Sequence, residues 1–358
     1  MALQPMICLF IQILILFSAT TDFSGIYRRG FVYLLLVYYF CRQRYNVYDY
    51  IMVCIPTLIK IKQVEKIYLS DSGPKVSPAI YGFYRWEEKE VTVSRMERIV
   101  QLCLEQGINT FDHGDTYGGY TCEDLFGQVV KQSGIKREDL VLFTKCGINL
   151  PHASHPEYRV KHFDTSRAHI IHSVENSLRK LRTDYIDVFL LNQLDPLSNL
   201  EETAITLEKL KDSGKIKNVG VVNFSVFQHQ LLSAYLRIPI VTNHIELNLL
   251  NTAAFDNGQV DYIKQKYMRP LATSPLAEGE IANSIEKTPL RVRAKLEELA
   301  ARYNTHFESV ATAWLFRLGA LPLVGTTNED RIRNIVAGFN ISLDRQDWYE
   351  LYAVSRNE

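Results

Sequence analysis

The feature that most constrains this chain is an alternation. From residue 62 onward, short runs rich in β-branched and aromatic residues fall at 76–83, 108–112, 141–145, 186–191, 219–222, 241–246, 268–274 and 321–324, separated by stretches with helical periodicity. Strands and helices alternating in this way predict βαβ units and a parallel sheet. In 167–181 the apolar residues 170, 171, 174, 178 and 181 form one stripe at helical spacing, and Thr165 or Ser166 stands where a cap belongs. Thr305 and Glu308 have capping-box spacing ahead of an apolar face at 310, 311, 314, 315 and 318. Eight strands, each followed by a helix over about 300 residues, predict a single-domain (β/α)8 TIM barrel across 62–358. A doubly wound open sheet is the alternative, but its dinucleotide-binding version needs a Gly-x-Gly-x-x-Gly turn after the first strand, and that turn is absent from this sequence.

Residues 1–61 stand apart. Five basic residues (Arg28, Arg29, Arg42, Arg44, Lys60) face two acids (Asp22, Asp49), and apolar runs occupy 6–17, 31–40 and 51–59. A spanning helix needs ~20 apolar residues, more than any of these runs supplies. The first run has the size of a secretory h-region, yet no basic residue precedes it, and Ser18-Ala19-Thr20 is a poor cleavage site. The block reads as an apolar leader unrelated to the fold, from a start assigned too far upstream, with Met52 as a later start. A membrane segment or an export signal are the alternatives.

Over the whole chain 40 basic residues balance 40 acidic ones, which leaves no excess to neutralise phosphates and argues against a nucleic-acid partner. Apolar residues at 47% support a sizeable core and exclude a wholly disordered chain. The six cysteines form no CxxC pair, so a reduced, cytoplasmic setting is expected, with membrane contact only if residues 1–60 are retained.

In a barrel of this type the chemistry sits where strands end at their C-terminal side. Read in order, those ends carry Tyr84, Arg85 and Trp86; Asp112 with Tyr117; Lys145; Asn192; Asn223; His244 and Glu246; Ser274; and Gly325 with Thr326. Each alone marks only the end of a buried strand, but together they would converge on one mouth. Asp112, Tyr117 and Lys145 make a chemical unit. A phenol with an ordinary pKa of about 10 is a reluctant acid, a nearby cation lowers that value by ~1–3 units, and a carboxylate can hold the cation in place. Such a tyrosine could protonate a developing alkoxide. Taken singly, the same residues read as a packed turn residue, a solvated strand end and a helix cap. His152 and His155 have HxxH spacing but lie between Pro151 and Pro156, which reads as loop rather than metal site. Cys122 and Cys146 read as buried fillers.

The segments GINTFDHGDTYGGYTCEDLFG, LFTKCG, TDYIDVFLLNQLDP, GKIKNVGVVNF, VTNHIEL, SPLAEGE and VGTTNEDRIRN follow one another in this order. Together they resemble the successive signatures of the aldo-keto reductases, over roughly residues 65–355 and most closely bacterial NADP-dependent oxidoreductases. The resemblance implies a TIM barrel that reduces aldehydes or ketones with NADPH and holds neither metal nor flavin. It implies catalytic roles for Asp112, Tyr117 and Lys145, with Asn223 holding the nicotinamide carboxamide. Ser274, Pro275, Leu276 and Ala277 would lie along the pyrophosphate, Gly325, Thr326, Thr327, Asn328 and Arg331 at the adenosine phosphate, and Asn334 near the adenine. Trp86, Tyr120 and the stretch 149–163 would shape the substrate pocket. The sequence departs from the family pattern at three places. Asn192 stands where the family has a catalytic histidine, as in the potassium-channel β subunits; Val222 replaces a serine and His244 a glutamine. These changes imply modest turnover, and they leave open a nicotinamide-binding regulatory or vestigial protein as the rival reading.

Overall fold

In a computed structural model, residues 65–87 and 92–357 are described, and the expectations for residues 1–61 lie outside them. The eight runs become β1 (Ile80–Gly82), β2 (Thr110–Asp112), β3 (Val141–Cys146), β4 (Val188–Asn192), β5 (Val219–Val222), β6 (Ile240–Glu246), β7 (Leu271–Thr273) and β8 (Leu321–Val324). Each pairs in parallel with the next, and β8 returns to β1 with Leu323 opposite Ile80, so the sheet closes. Closure rules out the open-sheet alternative and yields the (β/α)8 barrel.

Side chains alternate across each strand. Val141 and Phe143 of β3, Val188 and Leu190 of β4, and Leu321 and Leu323 of β8 fill the barrel interior with Ile80. Their neighbours Leu142, Phe189, Leu191 and Val324 pack instead against the surrounding helices. Full burial of each such side chain is worth ~1.5–3 kcal/mol, which fixes the phase of every strand. That phase carries Lys145 and Asn192 to the interior edge, each two residues beyond the last apolar interior position of its strand. At the opposite end a hairpin pairs Ile67–Tyr68 with Lys75–Val76, and fully buried Leu69 and Val76 join the interior cluster.

The outer layer comprises α1 (Val93–Glu105), α2 (Cys122–Gln132), α3 (Arg167–Leu181), α4 (Leu200–Asp212), α5 (Val226–Tyr235), α6 (Gln259–Gln265), α7 (Lys287–Arg302), α8 (Phe307–Leu318), α9 (Glu329–Ala337) and α10 (Arg345–Arg356). Ser166 caps α3 by accepting from the His169 N–H at 3.3 Å. The capping box read at Thr305 does not form. Thr305 instead ends α7, donating its N–H to Ala300 O at 2.9 Å beyond a left-handed Asn304, and α8 starts behind His306 with no side-chain cap bond. Glu308, freed from capping, accepts from Asn334 Nδ2 on α9 at 3.4 Å. Among the described residues, no helix is long and apolar enough to cross a membrane.

Candidate active site

β2 ends on Asp112, and β3, beside it, carries Lys145, both facing inward. Lys145 Nζ donates to Asp112 Oδ1 at 2.7 Å, to Oδ2 at 2.6 Å and to the His113 carbonyl at 2.6 Å. The lysine side chain is 3% exposed and the aspartate 0%. Burial pushes the Asp112 carboxyl up and the Lys145 ammonium down, and each shift is opposed by the other's charge. A pair so far from water persists because every ammonium proton has an acceptor.

Tyr117 follows in the loop after β2. Its ring centroid lies 4.8 Å from Lys145 Nζ. Gly114 lets the two approach: a Cβ there would sit 3.1 Å from Tyr117 Cε1 and Cζ and 3.2 Å from Lys145 Cγ. The phenol pKa is raised well above its ordinary value, by burial first and by the Asp112 charge next. This reverses the expectation that Lys145 acidifies it. The ammonium is bound by both oxygens of Asp112 and faces the ring, so its charge is largely neutralised and burial decides. Tyr117 therefore stays a neutral phenol, the form from which a proton can be given.

Around this centre, Asn192 closes β4 half-buried opposite Val222 of β5, and Val222 lies opposite His244 of β6. His244 is 1% exposed, neither ring nitrogen has a partner among the described residues, and burial with the Lys145 charge keeps the imidazole neutral. Asn223 is exposed in a left-handed conformation (φ 60°) that asparagine tolerates better than most residues, and its N–H donates to His244 O at 2.8 Å.

Tyr84 connects this centre to a second feature. Its ring lies 6.4 Å from that of Tyr117, and its side chain lines the same groove as Ser274. From there a groove of about 290 Å³ is lined by Ser274, Pro275, Leu276, Gly325, Thr326, Thr327 and Arg331, joined by Tyr84, Arg85, Glu278, Gly279, Phe307 and Glu308. Ser274 (φ 52°), Ala277 (φ 48°) and Glu278 (φ 55°) all adopt left-handed backbone after β7, the sort of strain that persists at ligand clamps. Gly325 has no room for a side chain, because its Cβ would come within 2.5 Å of Tyr84 Cε1. Asn328 caps α9 by accepting from Arg331 N–H at 3.1 Å, and the start of that helix favours an anion. Arg331 Nε lies 3.9 Å from Glu308 Oε1, while its neighbour Arg333 pairs with Glu329 and Asp330. Ala277 is buried beside the groove, and Asn334 stands behind Glu308. Backbone amides, hydroxyls and a guanidinium beside apolar walls form a donor set that fits the phosphates and adenosine of a dinucleotide.

The expected pocket residues do not gather in the same way. Trp86 is 2% exposed, donates Nε1–H to Tyr81 OH at 3.1 Å and packs on Phe83, so it belongs to the core rather than to a pocket wall. Tyr120 is tied to the rim, its hydroxyl donating to Leu150 O and accepting from Leu150 N–H, both at 3.0 Å. His155 rests on its ring at 4.3 Å and shares Nδ1 with Glu157, while His152 shares Nδ1 with Ser154 Oγ. The thiols of Cys122 and Cys146 are buried, and burial raises both pKa values, that of Cys122 to about 12.

Two acids near the centre escaped the sequence reading. Asp115 has its carboxyl pushed up to about 8 by burial and by nearby Glu123. A second acid within the same strand-end loop was the available signal. Glu123 is 1% exposed and accepts from Thr144 Oγ1 at 2.7 Å; in sequence it looks like any acid in a first helical turn.

The Aldo/keto reductase family profile matches residues 79–356. The chain is 38% identical over 295 residues to 6-dehydroglucose reductase of Agrobacterium fabrum, covering 82% of this chain and 98% of that protein. It is 37% identical over 279 residues to the uncharacterized oxidoreductase YcsN of Bacillus subtilis, covering 77% and 93%. Among solved structures, the thermostable aldo-keto reductase Tm1743, in complex with the inhibitor epalrestat, matches with a TM-score of 0.69 at 22% identity, over 81% of this chain and 100% of that one, a likeness of fold. With the closed parallel barrel and the polar mouth at its strand ends, these matches establish that the chain belongs to the aldo/keto reductase family and is an oxidoreductase of that type.

Proposed function

We propose that this oxidoreductase reduces an aldehyde or ketone to the alcohol with NADPH, at modest turnover. The observation that carries the reading is the Tyr117 ring packed against the buried Asp112–Lys145 pair, with Tyr84 leading from it to the groove. A reduced dinucleotide held along the groove residues would supply the hydride that reduces the carbonyl carbon. Tyr117 holds its proton until the carbonyl oxygen becomes an alkoxide, a far stronger base, and then gives it up. Lys145 faces the ring left behind, and Asp112 keeps that ammonium oriented. Asn192 donates its amide N–H to the carbonyl oxygen but cannot carry a proton, which limits rate.

Asn223 and His244 hold the carboxamide. Ser274, Pro275, Leu276 and Ala277 follow the pyrophosphate, and Gly325, Thr326, Thr327, Asn328 and Arg331 the adenosine phosphate, with Asn334 toward the adenine. Tyr120 forms part of the substrate rim, and the 6-dehydroglucose reductase named among the relatives supports a sugar carbonyl as substrate. The enzyme acts in the cytoplasm on a small molecule.

Asn192 favours a second reading, a nicotinamide-binding regulatory barrel with little catalysis. Mixing the NADPH-loaded protein with a panel of aldehydes in a stopped-flow instrument separates the two. Reductase action gives NADPH oxidation that Tyr117→Phe abolishes while dinucleotide binding survives. Oxidation undiminished in Tyr117→Phe refutes the assignment of the proton donor, and absence of oxidation with every aldehyde favours the regulatory reading.

A further inference from the structure

We propose that Glu308 governs which dinucleotide the groove accepts, by tempering Arg331 at the ribose 2′ position. The inference rests on the reading of the groove as a dinucleotide site. Glu308 begins the buried face of α8, its side chain is 8% exposed, and it lines the groove with Arg331. Its spacing from Thr305 suggests a capping role, but the structure gives it none. Its contacts are long, 3.9 Å to Arg331 Nε and 3.4 Å to Asn334 Nδ2, which leaves both oxygens able to accept from a further donor.

Charge decides what that donor can be. The cations lining the groove are Arg85 and Arg331, and Glu278 and Glu308 line it as well. Two guanidiniums matched by two carboxylates make a poor attractor for an added 2′-phosphate, a group carrying roughly −1.5 to −2 charges at neutral pH. A ribose 2′-hydroxyl, by contrast, is a donor that a carboxylate accepts well. Arg331 alone would favour the phosphorylated dinucleotide strongly. Glu308 offsets part of that attraction and gives the hydroxyl form a partner, so both forms bind with similar strength.

Calorimetric titration of the wild-type protein with NADPH and with NADH should give dissociation constants within about tenfold of each other, a gap of ~1.4 kcal/mol. Glu308→Gln keeps the side-chain shape and removes the charge, and should move the ratio toward NADPH by about tenfold, a shift that shrinks in high salt. Glu308→Asp, which keeps the charge, should stay near wild type. A ratio unmoved by Glu308→Gln overturns the inference alone, as does a wild-type preference for NADPH beyond about a hundredfold, a measurement that stands even if the variant fails to fold. If neither dinucleotide binds the wild-type protein, the dinucleotide reading of the groove falls and this inference with it.

Discussion

Substituting Asp112→Asn tests the electrostatics of the centre with almost no change in shape. The wild-type pair is at most 3% exposed and joined by bonds of 2.6 and 2.7 Å. Removing one partner of a buried pair costs ~3–5 kcal/mol. The amide oxygen of asparagine and the His113 carbonyl still accept from the ammonium, which brings the cost toward ~3 kcal/mol. For a domain of about 300 residues, with an unfolding entropy of ~2.1 cal/mol/K per residue, that corresponds to a fall in Tm of about 5 °C near pH 6.

The sign of the pH dependence is the sharper test. Burial lowers the Lys145 pKa and Asp112 holds it up. In Asp112→Asn the folded-state value drops further below the unfolded value of about 10.4, so the unfolded chain binds more protons in that window. The variant then recovers stability relative to wild type as pH rises, and its deficit shrinks between pH 6 and 9.5. Lys145→Met should behave in the mirror sense. It strands a carboxyl that burial raises, the folded state binds the extra proton, and the deficit shrinks as pH falls toward 5. Thermal unfolding followed by circular dichroism across pH 5–9.5 measures both. Deficits that stay constant with pH in both variants would refute the claim that a desolvated charge sets the cost.

Three further outcomes are expected. Gly114→Ala inserts a methyl 3.1 Å from the Tyr117 ring and 3.2 Å from Lys145 Cγ; steady-state kinetics should show kcat reduced about tenfold or more with dinucleotide affinity retained, because small displacements of a proton donor are expensive. Asp115 has its carboxyl raised to about 8 by burial and Glu123, so the folded state holds its proton and loses stability as pH rises from about 4 to 8. The Tm of Asp115→Asn relative to wild type should accordingly rise from pH 5 to pH 9, and an unchanged difference would remove Asp115 from the titrating set. Asn192→His should raise turnover if Asn192 contacts the carbonyl oxygen, since histidine adds a donor that can also carry a proton; no gain with dinucleotide still bound would contradict that placement.

The order of the eight strands was written in local pattern. A run such as 141–145 has enough β-branched and aromatic character to name itself a strand, and the switch from apolar to polar along it marks Lys145 as a mouth residue. Asp112 and Tyr117 could be paired with Lys145 on paper because short-range spacing and strand ends suffice to bring them to one rim. What the sequence could not supply was the balance of charge and solvent once they met. Lys145 was expected to acidify Tyr117, yet closure of the barrel desolvates the half-buried tyrosine and hands the ammonium to both oxygens of Asp112, so the shift runs the other way.

Glu308 shows the same division. Locally it has the spacing of a helix cap; only the packing of α8 against α9 turns it to Arg331 in the groove and to Asn334 behind it. Trp86 looked like a pocket wall until the folded chain buried it on Phe83 and bonded it to Tyr81. Periodicity and strand ends are properties of neighbours along the chain, and they determine the fold and the rim. Desolvation and charge pairing depend on residues distant in sequence, and only the closed tertiary structure decides them.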